Sequence, residues 1–148
     1  MHIGCSLTRI DAFDKVTGKA QYTDDLCPRN ALVARVLHAS IANGTVLGFD
    51  LAEALQVDGV VKIITCFDVP DRPFDTGTHP WSNDPALQGI EDRHLLNRRV
   101  RYYGDDIAAV VATDEISAHK ALSLIRVRYE EFPPVLDVFS AMEPGAAP

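Results

Sequence analysis

The sequence predicts an α+β domain built on a mixed, mostly antiparallel sheet with two short helices. Three observations carry that expectation. Apolar, β-branched runs of strand length recur at residues 32–39, 60–66 and 107–112. Turn residues follow them closely, as at Asp58-Gly59 and Gly104-Asp105-Asp106. Only two segments read as helix, too few to cover both faces of a parallel sheet.

The elements follow in order. The first 30 residues are polar and turn-rich, and Lys15-Val16-Thr17-Gly18-Lys19-Ala20-Gln21-Tyr22 reads as two short extended pieces around a glycine turn. Residues 32–39 are apolar except for Arg35 and His38. That composition suits a strand covered on both faces and makes His38 a hydrogen-bonded core residue. Asp50-Leu51-Ala52-Glu53 opens a short helix, with Asp50 as N-cap and Glu53 returning the bond. Gly59 stops it, and residues 60–66 follow as a β-branched strand.

Residues 68–93 hold Pro70, Pro73, Gly77, Pro80, Pro85 and Gly89, and read as a long loop. A loop of that length in a compact domain is usually there to contact something. Its Trp81, the one tryptophan of the chain, either pins the loop onto its own domain or packs on a neighbouring subunit.

Residues 100–103 are extended, and residues 107–112, apolar on both faces, form a central strand. Thr113 or Asp114 caps a helix whose apolar stripe is Ala118, Ala121, Leu122 and Ile125. Ile125, Val127 and Tyr129 then alternate with Arg126, Arg128 and Glu130, the period of a half-buried strand. Pro133-Pro134 ends it, because proline cannot donate to a ladder. Residues 143–148, Glu143-Pro144-Gly145-Ala146-Ala147-Pro148, read as a linker, which leaves residues 1–142 as one domain.

The chain has 148 residues, enough for one core. A net charge of −7 argues against nucleic acid and against an anionic membrane surface as partners. No apolar run approaches the ~20 residues of a membrane span. The N-terminus carries no secretory signature, so the cytoplasm is the expected compartment. Cys5, Cys27 and Cys66 are scattered and odd in number, which suits packing residues better than disulfides or a four-thiolate metal site.

Residue types that carry chemistry are present without the spacing that chemistry needs. His2, His38, His79, His94 and His119 stand at no metal-ligand spacing. Asp24-Asp25 and Asp105-Asp106 are adjacent pairs at turns, where aspartate bonds to nearby backbone N–H groups. Gly18-Lys19 lacks the preceding glycine and the following Ser or Thr of a phosphate loop. Ser40 and Ser117 lie in no nucleophile elbow. No catalytic, cofactor-binding or metal-binding residue is therefore assigned.

Three segments in order nevertheless resemble one family. The first is Asp11-Ala12-Phe13-Asp14-Lys15-Val16-Thr17-Gly18-Lys19-Ala20-Gln21-Tyr22-Thr23-Asp24-Asp25. The second is Asp58-Gly59-Val60-Val61-Lys62-Ile63-Ile64-Thr65 with Asp68-Val69-Pro70. The third runs from Val100-Arg101-Tyr102-Tyr103-Gly104 through residues 107–112 to Val127-Arg128-Tyr129-Glu130-Glu131-Phe132-Pro133-Pro134-Val135. Together they resemble the α/β hammerhead domain that begins the molybdenum-binding subunit of the aldehyde oxidase and xanthine dehydrogenase group. The loop with His79-Pro80-Trp81 looks like the bacterial xanthine dehydrogenase branch. Two turns depart from the family pattern: Ser40-Ile41-Ala42-Asn43-Gly44 and Gly104-Asp105-Asp106.

The resemblance implies an enzyme in which a molybdenum–pterin centre hydroxylates a purine and electrons leave through Fe–S clusters and FAD to NAD. It places the catalytic glutamate and pterin loops in other domains, so this part has a structural role. Its implied partners are the catalytic molybdenum-binding domains of the same chain, with FAD and Fe–S subunits beyond, and residues 70–93 are expected to form much of the contact. Two alternatives stand beside it. One is the same domain from an aldehyde, nicotinate or carbon monoxide enzyme. The other is a free-standing interaction module that shares the fold.

Overall fold

The computed structural model describes residue 4, residues 6–74, residue 91 and residues 93–145. The chain divides into two compact units, Met1–Ala31 and Leu32–Pro148.

In the first unit, Ala12–Val16 forms α1 and Asp24–Leu26 a 3-10 turn. This corrects the two extended pieces expected around Gly18. Asp11 binds Lys15 one turn ahead at 2.6 Å, a pairing that supports helix over strand. Gly18, at φ 71°, then takes the left-handed position just past the helix end. The Lys19 N–H donates back to the Asp14 carbonyl at 2.8 Å. The glycine is a helix stop, not a hairpin turn.

The second unit holds β1 (Val33–His38), β2 (Gly44–Asp50), β3 (Val60–Thr65), β4 (Arg99–Val100), β5 (Asp106–Ala112) and β6 (Arg126–Glu131). It also holds α2 (Glu115–Leu124) and α3 (Val138–Ala141). One sheet runs in the order β1-β5-β3 and the other β4-β2-β6, and every pairing among them is antiparallel. The α+β class therefore holds, with the sheet split in two.

Strand β5 is central, as its two-faced apolar pattern predicts. Ala112 stands opposite both Val33 of β1 and Val60 of β3. Alternation along the strand sends Val110 and Ala112 to one face and Ile107 to the other. On the first face they meet Ala54, Val57, Ile63, Ala118, Ala121 and Ile125 under α2. On the second, Ile107 packs with Ala39, Val46 and Val100. Leu37, Phe49 and Val127 touch both clusters and join them.

The predicted stripe of α2 is the face that packs: Ala118 and Ala121 are fully buried, while Ile125 sits at the helix end. Asp114 is the N-cap. Its carboxylate accepts the Ser117 N–H and hydroxyl, both at 2.9 Å, and these bonds hold its pKa below the ordinary carboxylate value. Asp137 caps α3 in the same way through Ser140. The D-x-x-S spacing is identical at the two sites, so the pattern that marks α2 also marks α3, a helix the periodicity does not predict.

Four further expectations need correction. Strand β1 pairs only with β5, so it is an edge strand and largely exposed rather than covered on both faces. His38 with it is exposed, its Nδ1 lying 2.8 Å from Asp106 Oδ1. The helix expected from Asp50 is only a 3-10 turn over Ala54–Gln56, because Asp50 remains in β2, paired with Arg126. The extended stretch at 100–103 shrinks to Arg99–Val100, since residues 102–104 already turn. Gly59 does end its segment in the left-handed region, at φ 89°. Half of the expected linker, residues 146–148, and most of the loop with Trp81 lie outside the described residues.

Ile107 is fully buried and is one of the largest side chains in the second cluster. Ile107→Ala is expected to cost about 2–5 kcal/mol, read as a lower urea midpoint. Asp114→Ala is expected to lower that midpoint too, with a pH signature. A lowered folded-state pKa stabilises above the unfolded value of about 3.9 and fades as pH falls through the folded value. The gap between the chain and D114A should therefore close on acidification; a constant gap would contradict it.

Candidate functional site

Titratable side chains flagged by the sequence are scattered by the fold. His94 Nε2 lies 3.1 Å from Asp71 Oδ1, and His119 is exposed on α2. His2 and His79 lie outside the described residues. Among the described residues no group of three or more His, Cys, Asp or Glu is placed to hold a metal ion. These residues do not fit a molybdenum ligand set.

One aspartate of each pair does turn chemistry. Asp25 accepts the Tyr22 N–H at 2.9 Å. Asp105 is buried, and its two oxygens accept the Asn97 amide at 2.5 Å and the Arg101 N–H at 3.1 Å. Its neighbour Asp106 faces His38 instead. Ser117 belongs to the α2 cap.

The cysteines divide by environment. Cys27 is exposed. Cys66 packs against the second core cluster, and burial pushes its thiol up to about 11. Cys5 lies outside the described residues.

What the second unit does present is surface relief around β4. An open cleft of about 810 Å³ is lined by Asn43, Arg99, Arg101, Tyr102, Tyr103 and Leu136, among others. A smaller one of about 290 Å³ adjoins it, lined by Thr45, Asp71, His94, Arg98, Arg99 and Arg101. The cause lies in Val100, which is fully buried in the second core cluster. Anchoring Val100 inward leaves its neighbours Arg99 and Arg101 outward and exposed. Arg98 lies over the Phe67 ring at 5.1 Å and Arg99 over Phe132 at 5.3 Å. No sequence motif singles out these arginines. The signal was in plain view as Arg98-Arg99-Val100-Arg101, a basic run in an acidic chain.

From Leu136 in the wall of the larger cleft onward, α3 and the residue run before it carry exposed apolar side chains: Leu136 at 79%, Phe139 at 80% and Met142 at 78%.

Comparison with known proteins gives this surface its context. Residues 17–133 match the profile of the "aldehyde oxidase and xanthine dehydrogenase, a/b hammerhead domain" family. The chain belongs to that family. The hammerhead domain is 41% identical, over 140 residues, to a xanthine dehydrogenase molybdenum-binding subunit of Escherichia coli O157:H7. That match covers 95% of this chain and 19% of the relative. Quinoline 2-oxidoreductase of Pseudomonas putida 86 contains a similar structure, with a TM-score of 0.79 and 28% identity over 97% of this chain and 18% of that one. The aldehyde oxidoreductase of Desulfovibrio desulfuricans gives 0.78 and 29%, covering 97% and 16%. The chain thus spans about a fifth of the length of the relatives it matches. No helix of the described residues is long and apolar enough to cross a membrane.

With thiol reagent near neutral pH, Cys27 is expected to react and Cys66 to stay protected until the chain unfolds or pH nears about 11. Equal labelling of the two in the folded chain would contradict the half-buried position of Cys66.

Proposed function

We propose that this hammerhead domain is a structural part of the molybdenum-binding polypeptide of a xanthine dehydrogenase-type hydroxylase. In this reading residues 1–142 are the domain and residues 143–148 lead on to the catalytic domains. The carrying observation is the exposed apolar surface around α3, where Leu136, Val138, Phe139 and Met142 face solvent within and beside a single turn. Each large apolar side chain left in water forgoes about 1.5–3 kcal/mol relative to burial. Clustered apolar exposure on that scale is the mark of an interaction surface. In the first unit Ile10, Phe13 and Val16 are exposed as well.

The likeness to a molybdenum-binding subunit supports the chemistry of the whole polypeptide. The molybdenum–pterin group, held by domains outside this chain, supplies purine hydroxylation, with electrons leaving through Fe–S clusters and FAD to NAD. This domain's residues bind and orient its neighbours: the catalytic domains of its own chain first, and FAD and Fe–S subunits beyond them. The cytoplasm is the compartment that fits such an assembly.

The reading frame is expected to run far past Pro148, and the complete polypeptide with its partners to oxidise purines in preference to aldehydes. The 148-residue chain alone should oxidise neither. A stop codon directly after Pro148 would overturn the reading, and preferential aldehyde turnover would move it to another branch of the family.

A further inference from the structure

We infer that the arginine-lined cleft beside β4 receives an acidic segment of the longer polypeptide, from outside residues 1–148. The inference rests on the reading just given and names the chemistry of the contact. Arg98, Arg99 and Arg101 line one cleft of about 290 Å³. None of the three forms an ion pair with a carboxylate of the described residues, in a chain whose net charge is −7. The carboxylates close by are committed elsewhere. Asp71, which lines the same cleft, reaches His94, and the buried Asp105 accepts the Asn97 amide and the Arg101 N–H.

Three guanidiniums against the one carboxylate of Asp71 leave the cleft with an excess of positive charge, which an entering carboxylate offsets. Two of the guanidiniums are already positioned. Arg98 lies on Phe67, and Arg99 lies on Phe132 while its Nη1 donates to the Gly44 carbonyl at 2.8 Å. A planar fork held in place loses little freedom when it binds a carboxylate.

The adjoining cleft makes the occupant a polypeptide rather than a small anion. It shares Arg99 and Arg101 and continues over Tyr102, Tyr103, Pro134 and Leu136. Aromatic and apolar side chains beside arginine are the composition of protein interface cores. The occupant's source follows from the similarity, which covers 95% of this chain and only 19% of the relative. A segment tethered to the domain meets the cleft at an effective concentration no separate chain matches.

The test uses the complete polypeptide carrying Arg101→Lys, a conservative change at an exposed position, treated with a carbodiimide that joins an amine directly to a carboxylate in contact with it. Mass spectrometry is expected to find the new lysine joined to an Asp or Glu outside residues 1–148 of the same polypeptide. In the unsubstituted polypeptide, phenylglyoxal should modify Arg98 and Arg101 about tenfold more slowly than in the 148-residue chain, a protection worth about 1.4 kcal/mol, and high salt should abolish that difference. Coupling only within residues 1–148, coupling to a separate subunit, or no coupling would overturn the inference. So would inorganic phosphate alone protecting both arginines of the 148-residue chain, which would make the cleft a small-anion site. These outcomes leave the proposed function standing, whereas a frame closed at Pro148 removes both.

Discussion

Strand β5 is hydrogen-bonded along both edges and buried on both faces, and the second unit is organised around that fact. Its pairing with β1 and β3 makes one three-stranded sheet. The same seven residues supply Val110 and Ala112 to the cluster under α2, and Ile107 to the cluster shared with β2 and β4. A strand in this position tolerates few polar residues, because each would be buried without a partner. Its one charged residue, Asp106, stands at the end, where it meets His38. The contacts that tie distant segments together converge here. The Asn97 N–H reaches the Asp106 carbonyl at 2.6 Å, and the Cys66 N–H reaches Ile107 at 3.0 Å.

From that constraint the surface around β4 follows. Val100 is drawn into the second cluster, and buried Asp105 closes the turn behind it by holding Asn97 and the Arg101 N–H. With the backbone pinned on both sides of Arg99 and Arg101, their side chains have only the outward direction. The basic cleft is therefore a by-product of core packing, set at the sheet edge where short β4 leaves room. Pro134, Val135 and Leu136, the run before α3, line the larger cleft at that edge. A domain with clusters this small keeps much of its apolar surface outside, and in the longer relatives there is chain enough to cover it.

Legibility in the sequence tracked how local the determining physics was. The strand at 107–112, the capped helix at Asp114 and the alternating strand after it could be read directly, because period and cap chemistry are written in neighbouring residues. The stretch at 15–22 was misread because Gly18 suits both a hairpin and a helix end. The Asp11–Lys15 pair that favours helix is a weaker signal than the glycine. Strand β1 was misread because an apolar run looks the same at the centre of a sheet and at its edge. His38 went wrong with it. The arginine cleft was not foreseen, since three cations in sequence say nothing of whether carboxylates will fold against them.

Sequence alone determined the α+β class, the central strand, the main helix and its cap, and the family, since all of these rest on periodicity, cap residues and ordered motifs within short windows. Only the tertiary structure decided which strands are edges and that the sheet divides in two. It alone showed that Cys66 is half-buried while His38 is exposed, and that Arg98, Arg99 and Arg101 share a cleft without an ion pair to any carboxylate of the described residues. The physical reason is the same in each case. Burial and charge pairing are properties of what lies across space, and residues far apart along the chain set them.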